Sequence, residues 1–170
     1  MNLKQHIRDV PDFPKPGILF RDITPLLASH EAFDESIEKL AKPWQNTAID
    51  AVAAVEARGF IFAGPLALKL GVGLIPVRKP GKLPADTISY QYELEYGTDT
   101  LEMHSGILTP HSRVLIIDDV LATGGTAEAC VSLIESVHAT VVGCSFLVEL
   151  EGLGGRERLG DHRIETVLKY

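Results

Sequence analysis

At 170 residues the chain is long enough for one domain with a sizeable core and too short for two full ones. Hydrophobic residues at 45% and charged residues at 23% are ordinary for a globular protein, and no apolar run approaches the roughly eighteen residues of a membrane span. A net charge of −7 argues against a chain built to hold nucleic acid or an anionic membrane.

Residues 1–8 contain no apolar stretch of signal-peptide length and read as a short helix in a cytoplasmic protein. Asp9 to Thr24 carries Pro11, Pro14, Pro16 and Gly17, so it reads as an extended or turning segment. Ser29 to Leu40 reads as a helix. Phe33, Ile37, Leu40 and Ala41 share a face, acidic residues enrich its start, and Pro43 stops it. Ile49 to Val55 is an apolar run of strand length that ends in Glu56-Ala-Arg-Gly and leads into a helix over about Gly59–Leu70. Val72 to Val77 is the next strand. Behind it come Arg78, Lys79 and Lys82, three cations in five residues of an acidic chain, which suits an anion and equally a solvated turn.

Pro84 to His104 alternates β-favouring and polar residues about Gly97, the pattern of a hairpin or flexible flap rather than of core. Val114 to Ile117 is a short, mostly β-branched run suited to a strand buried on both faces of a parallel sheet. Asp118 and Asp119 stand at its expected end. Ala122-Thr-Gly-Gly-Thr126 then precedes a helix over about Gly125–Val137, whose Ala127, Cys130, Val131 and Ile134 recur at helical spacing. Thr140 to Leu150 reads as a long strand, Gly152 to Arg156 as a turn, Arg156–Leu159 as a short helix and Ile164 to Leu168 as a last strand. Glu149 and Glu151 read as surface acids without a role. Cys130 and Cys144 fall in apolar segments and read as buried reduced thiols. The six histidines show no metal-ligand spacing.

A strand, an acidic turn, a Gly/Thr loop and a helix start make a site with two halves. The loop offers backbone N–H groups to an anion at the positive helix end, and the carboxylates accept hydrogen bonds from vicinal hydroxyls. A phosphorylated sugar has both groups a few ångströms apart.

Val114 to Thr126 resembles the phosphoribosyl pyrophosphate motif of the type I phosphoribosyltransferases, in the form carried by their adenine-specific members. Phe13 to Thr24, Glu56 to Phe60, Val77 to Pro84 and Leu94 to Gly97 resemble further segments of that family, in its order. The resemblance implies an α/β fold: an open, mostly parallel sheet flanked by helices, a single domain over residues 1–170. It further implies an N-terminal hood over about residues 1–30 and a flexible β-hairpin flap over about 82–104.

The implied reaction transfers a 5-phosphoribosyl group from phosphoribosyl pyrophosphate to N9 of adenine, giving AMP and pyrophosphate. By the same resemblance, Ala122, Thr123, Gly124, Gly125 and Thr126 hold the 5-phosphate, while Asp118 and Asp119 take the ribose hydroxyls. Arg58, Arg78, Lys79 and Lys82 face pyrophosphate, Arg78 in a homodimer reaching the neighbouring subunit's site. Backbone groups near Leu19 and Arg21 contact adenine, with Phe20 beside it; an extended strand's adjacent C=O and N–H complement the purine's amino donor and N1 acceptor. A cis peptide is expected near Glu56–Ala57. Mg²⁺ is implied as a cofactor bound mainly through pyrophosphate and ribose hydroxyls, with no direct protein cage.

Family members acting on 6-oxopurines place an aspartate where this chain has Ala122. Proton transfer therefore needs another group, and Glu95, beside Tyr96 on the flap, is the candidate general acid or base, with its pKa raised under a closed lid. The competing readings are a 6-oxopurine phosphoribosyltransferase and a non-catalytic phosphoribosyl pyrophosphate-binding regulator. Against the regulator stand the acidic charge and the lack of a helix-turn-helix. A strand ending in Asp-Asp also resembles an ATPase element, but no Gly-x₄-Gly-Lys-Ser/Thr stretch accompanies it.

Overall fold

The computed structural model describes residues 1–94 and 97–170, which fall into two compact units, Met1–Lys39 and Leu40–Tyr170. In the first unit a single 3₁₀ turn, Leu3–His6, precedes an antiparallel pair, β1 (Arg8–Pro11) and β2 (Leu19–Asp22). This pair is more ordered than the extended segment expected from its prolines. Its register sets Arg8 opposite Asp22 and Asp9 opposite Arg21, and both cross-strand pairs are ionic. The connecting turn holds a cis Phe13–Pro14 bond, and Asp12 accepts the Gly17 N–H at 2.8 Å. Asp22 accepts the Thr24 N–H at 2.9 Å at the start of α1 (Thr24–Ala28), and the Thr24 hydrogen bonds hold its carboxyl down at about 2. Ser29 Oγ accepts from Ala32 at the start of α2 (His30–Ala41), one residue from the expected helix.

In the second unit five parallel strands lie in the order β4-β3-β7-β8-β9. They are β3 (Ala51–Val55), β4 (Gly73–Val77), β7 (Arg113–Leu121), β8 (Thr140–Glu149) and β9 (Ile164–Lys169). Every residue of β3 is buried, as befits a strand with neighbours on both edges and helices on both faces. Ala51, Ala53, Val55, Val114 and Ile116 share one packed cluster with Ala127, Cys130, Val131 and Ile134 of α4 (Gly125–Glu135). Alternate residues point to the opposite face, where α3 (Gly59–Leu70) lies against β3 and β7. Phe62 and Leu66 of α3 are fully buried; Leu66→Ala would cost about 2–5 kcal/mol.

β7 extends past the expected end of its strand. Asp118, Val120 and Leu121 pair with Phe146, Val148 and Glu149 of β8, so the two aspartates sit inside a paired strand rather than beyond it. The segment before it forms an antiparallel hairpin, β5 (Thr87–Glu93) and β6 (Thr98–His104). Contrary to the expectation of a hairpin outside the core, Leu101 and Met103 are fully buried, with Ile88 and Tyr92 packed against the same cluster. A final short helix, α5 (Gly155–Arg158), starts one residue before the one expected.

Candidate active site

Because β3 and β7 are adjacent and parallel, with Ala54 opposite Ile117, their C-terminal ends open side by side. That is where ligands bind in open α/β sheets. Arg58, in the turn after β3, places Nε 2.9 Å from Oδ2 of Asp119, whose side chain is 6% exposed. Arg58, Asp118, Asp119 and Ala122 to Thr126 line one concavity. Two segments far apart in sequence thus converge on the same few ångströms.

Asp118 is held tightly. Its Oδ1 accepts the Asp119 N–H at 2.8 Å and lies against Gly59, where any Cβ would stand 2.9 Å from that oxygen. Burial, followed by the charge of Asp119, pushes the Asp118 carboxyl well above the usual carboxylate range. The loop beyond it turns through Gly124 at φ +83°, a left-handed conformation that favours glycine, and α4 begins at the next residue. The loop's backbone amides therefore gather at a helix N-terminus, a ready anion cradle.

The cationic segment after β4 folds around Glu56. Its carboxylate accepts the Lys79 N–H at 2.7 Å and faces Arg78 Nε at 3.2 Å, and these contacts, led by the Lys79 bond, lower its pKa. The Arg78 guanidinium also reaches the Lys82 carbonyl at 3.5 Å, and Lys82 itself is exposed. The Lys79 ammonium turns away to ion-pair with Asp99 and lies 5.9 Å from the Tyr92 ring, both on the hairpin. Arg78 and Glu102 exchange backbone hydrogen bonds at 2.9 and 2.8 Å, tying that hairpin to the cationic segment. The Glu56–Ala57 peptide is cis, as expected.

Leu19, Phe20 and Arg21 lie on β2 in the first unit. Leu19 is exposed, the Phe20 ring meets Phe13 edge-on at 5.1 Å, and Arg21 pairs with Asp9. Glu95 and Tyr96 lie outside the described residues.

The pattern of the phosphoribosyl transferase domain family matches residues 23–166. An adenine phosphoribosyltransferase of Rhodopirellula baltica is 58% identical over all of this chain and 82% of its own length. The chain belongs to the adenine phosphoribosyltransferase family. The solved structure of the family member from Thermoanaerobacter pseudethanolicus superposes with a TM-score of 0.95 at 54% identity, covering 99% of this chain and 98% of that one. The Saccharomyces cerevisiae family member, solved with adenine and an imino-altritol bisphosphate, gives 0.91 at 39% identity over 98% and 96% of the two chains. An open parallel sheet flanked by helices is the fold of these relatives.

One acidic position stands apart from the sequence reading. Glu149 is 3% exposed rather than a surface acid, and Arg156 grips it through Nε and a terminal nitrogen at 2.8 and 2.7 Å. No local signal marks this pair, because an isolated Glu at a strand end and an Arg in a Gly-rich turn each look solvent-facing. Their seven-residue separation acquires meaning only once β8 is placed beside β7. The role of Gly59 as the wall behind Asp118 likewise needs the neighbouring strand.

Proposed function

We infer that this chain is a purine-salvage enzyme that transfers the 5-phosphoribosyl group of phosphoribosyl pyrophosphate to N9 of adenine, releasing AMP and pyrophosphate. The observation that carries the reading is the 2.9 Å Arg58–Asp119 pair, which joins both strand-end segments beside the Gly/Thr loop. In this reading the amides of Ala122 to Thr126 hold the 5-phosphate, and Asp118 and Asp119 hold the ribose hydroxyls. Arg58, Arg78 and Lys82 receive pyrophosphate, while the Lys79 ammonium is held by Asp99 on the hairpin. As the bond from the anomeric carbon to pyrophosphate breaks and the bond to N9 forms, positive charge grows on the sugar and negative charge on the leaving group. Carboxylates on one side and cations on the other match that separation. The proton that adenine gives up passes to Glu95, carried on a flap over residues 82–104 that excludes water from the reactive sugar.

Leu19 and Arg21 offer main-chain groups to adenine with Phe20 beside it, from a hood over residues 1–30 of a single 1–170 domain. Mg²⁺, held through pyrophosphate and ribose hydroxyls, would supply the positive charge that neutralises the leaving group. Asp118 and Asp119 supply hard oxygens suited to that ion, with Asp119 Oδ2 oriented by the Arg58 guanidinium at 2.9 Å. The enzyme works in the cytoplasm as a homodimer in which Arg78 reaches the neighbouring site. Exposed Ile61 and Leu68 on α3 and Leu74 on the outer strand β4 support such an interface.

The test supplies adenine, hypoxanthine, guanine and xanthine separately with phosphoribosyl pyrophosphate and Mg²⁺, and reads pyrophosphate release. Release with adenine is expected. Release with hypoxanthine or xanthine instead moves the assignment to a 6-oxopurine enzyme. Substrate binding without release for any base marks a regulator.

A further inference from the structure

The loop Ala122 to Thr126 contains two glycines and no side chain long enough to brace it. Its amides can be preorganised only from outside, and the structure places a floor beneath them. Gly155 is buried against the start and the middle of the loop. A Cβ there would overlap the Ala122 carbonyl oxygen and stand 2.8 Å from Leu121 Cδ1, while a Cβ on Gly124 would stand 2.9 Å from the Gly155 carbonyl oxygen. Arg158 continues the contact, with a guanidinium nitrogen 3.4 Å from where a Gly125 Cβ would be and Nε 2.6 Å from Glu128 in the first turn of α4.

This floor is pinned by the residue next to Gly155. Arg156 donates to both oxygens of buried Glu149 and to the Ile164 carbonyl at 3.3 Å, so it spans β8 and β9. Thr166 Oγ1 donates to Glu149 at 2.9 Å, and Lys169 Nζ stands 3.8 Å away. Glu149 in turn is paired with Leu121, the residue that enters the loop, and the Leu150 N–H donates to the Leu121 carbonyl at 2.9 Å.

We propose that Gly155, fixed by the grip of Arg156 on buried Glu149, is a positioning residue for the 5-phosphate: it sets the height of the loop amides and so the affinity for the phosphoribosyl substrate. The proposal rests on the reading of Ala122 to Thr126 as the 5-phosphate loop. An added methyl at position 155 lifts the Ala122 carbonyl and misaligns the amides, whereas the pyrophosphate cations, on another segment, stay in place. Arg156→Lys keeps the charge and loses the two-pronged grip, so it loosens the same floor less.

The experiment measures kcat and the KM for each substrate in the full-length enzyme, with AMP affinity by calorimetry, for Gly155→Ala, Arg156→Lys and Thr126→Val. Gly155→Ala should raise the KM for phosphoribosyl pyrophosphate and the AMP Kd about tenfold, the scale of one charge-assisted hydrogen bond, with the adenine KM held within about twofold. Arg156→Lys should fall between it and the parent, and carries the test by the same criteria if Gly155→Ala does not fold. Unchanged substrate KM and AMP Kd in folded variants, alongside a raised KM in Thr126→Val, would overturn the floor and leave the loop reading standing. A fall in kcat alone would overturn it equally. Unchanged values in Thr126→Val as well would remove the loop reading and the proposal with it.

Discussion

Arg58 Nε and Asp119 Oδ2 lie 2.9 Å apart, the arginine nearly half exposed and the aspartate almost fully enclosed. An ion pair open on one side adds little stability, about 0–1 kcal/mol. What it does is orient: the guanidinium is aimed across the mouth where the sugar hydroxyls and the leaving group are read to meet. Arg58→Ala is therefore expected to lower kcat/KM for phosphoribosyl pyrophosphate about 10²–10³-fold with little change in Tm. Arg58→Lys should recover only part of it. Pyrophosphate-release kinetics decide the matter, and a near-normal kcat/KM for Arg58→Ala would remove this residue from the leaving-group contacts.

Glu95 carries the proton-transfer assignment. Glu95→Gln should reduce turnover by about 10²–10⁴-fold while both substrates still bind, as measured by single-turnover kinetics and calorimetry. Turnover close to the parent enzyme's would retire the assignment.

Gly124 combines φ +83° with backbone of Gly155 at 2.9 Å from the position of an added Cβ. Gly124→Ala should destabilise the fold by about 1–3 kcal/mol, lowering Tm by about 3–10 °C in a thermal melt followed by circular dichroism. An unchanged Tm would mean that the turn into α4 relaxes freely, which the contact with Gly155 argues against.

Asp118 and Glu149 act on stability with opposite pH signs. Asp118 is raised by burial and then by Asp119, so its contribution is present below its unfolded pKa and lost as pH rises through the folded one. Asp118→Asn, which mimics the protonated form, should be more stable than the parent at neutral and alkaline pH and converge with it in acid, at the expense of activity. Glu149 is lowered, chiefly by the Arg156 hydrogen bonds, so its contribution is present above its unfolded pKa and lost as pH falls through the folded one. Urea midpoints across pH test both. A parallel pair of curves for Asp118→Asn and parent would contradict the first.

Cys130 and Cys144 are enclosed between α4 and β8, and burial pushes both thiols up, Cys144 to about 12. Iodoacetamide at pH 8 should leave the native enzyme unlabelled and modify both residues in urea, read by mass spectrometry. Labelling of the native enzyme at a rate independent of denaturant would show that this helix opens locally.

Periodicity and turn chemistry made most of the framework readable in the chain. The helix over Gly59–Leu70 starts and stops as expected, and the Asp-Asp and Gly/Thr segments face one concavity. What escaped is set by neighbours in space. Asp118 to Leu121 looked too polar for a buried strand, yet β8 alongside supplies ladder partners that outweigh local composition. Leu101 and Met103 alternate with polar residues like any exposed ribbon, and only α4 beneath turns that stripe into core. Glu149 looks solvated until the sheet closes over it, and Arg156 until that carboxylate is placed beside it.

The rooting of β6 limits what can swing. Withdrawing Leu101 and Met103 into water would cost about 3–6 kcal/mol together, so a conformer with the whole hairpin lifted would make up roughly one molecule in 10² to 10⁴. Any motion of this hairpin linked to substrate binding is therefore expected to leave Leu101 and Met103 seated in the core.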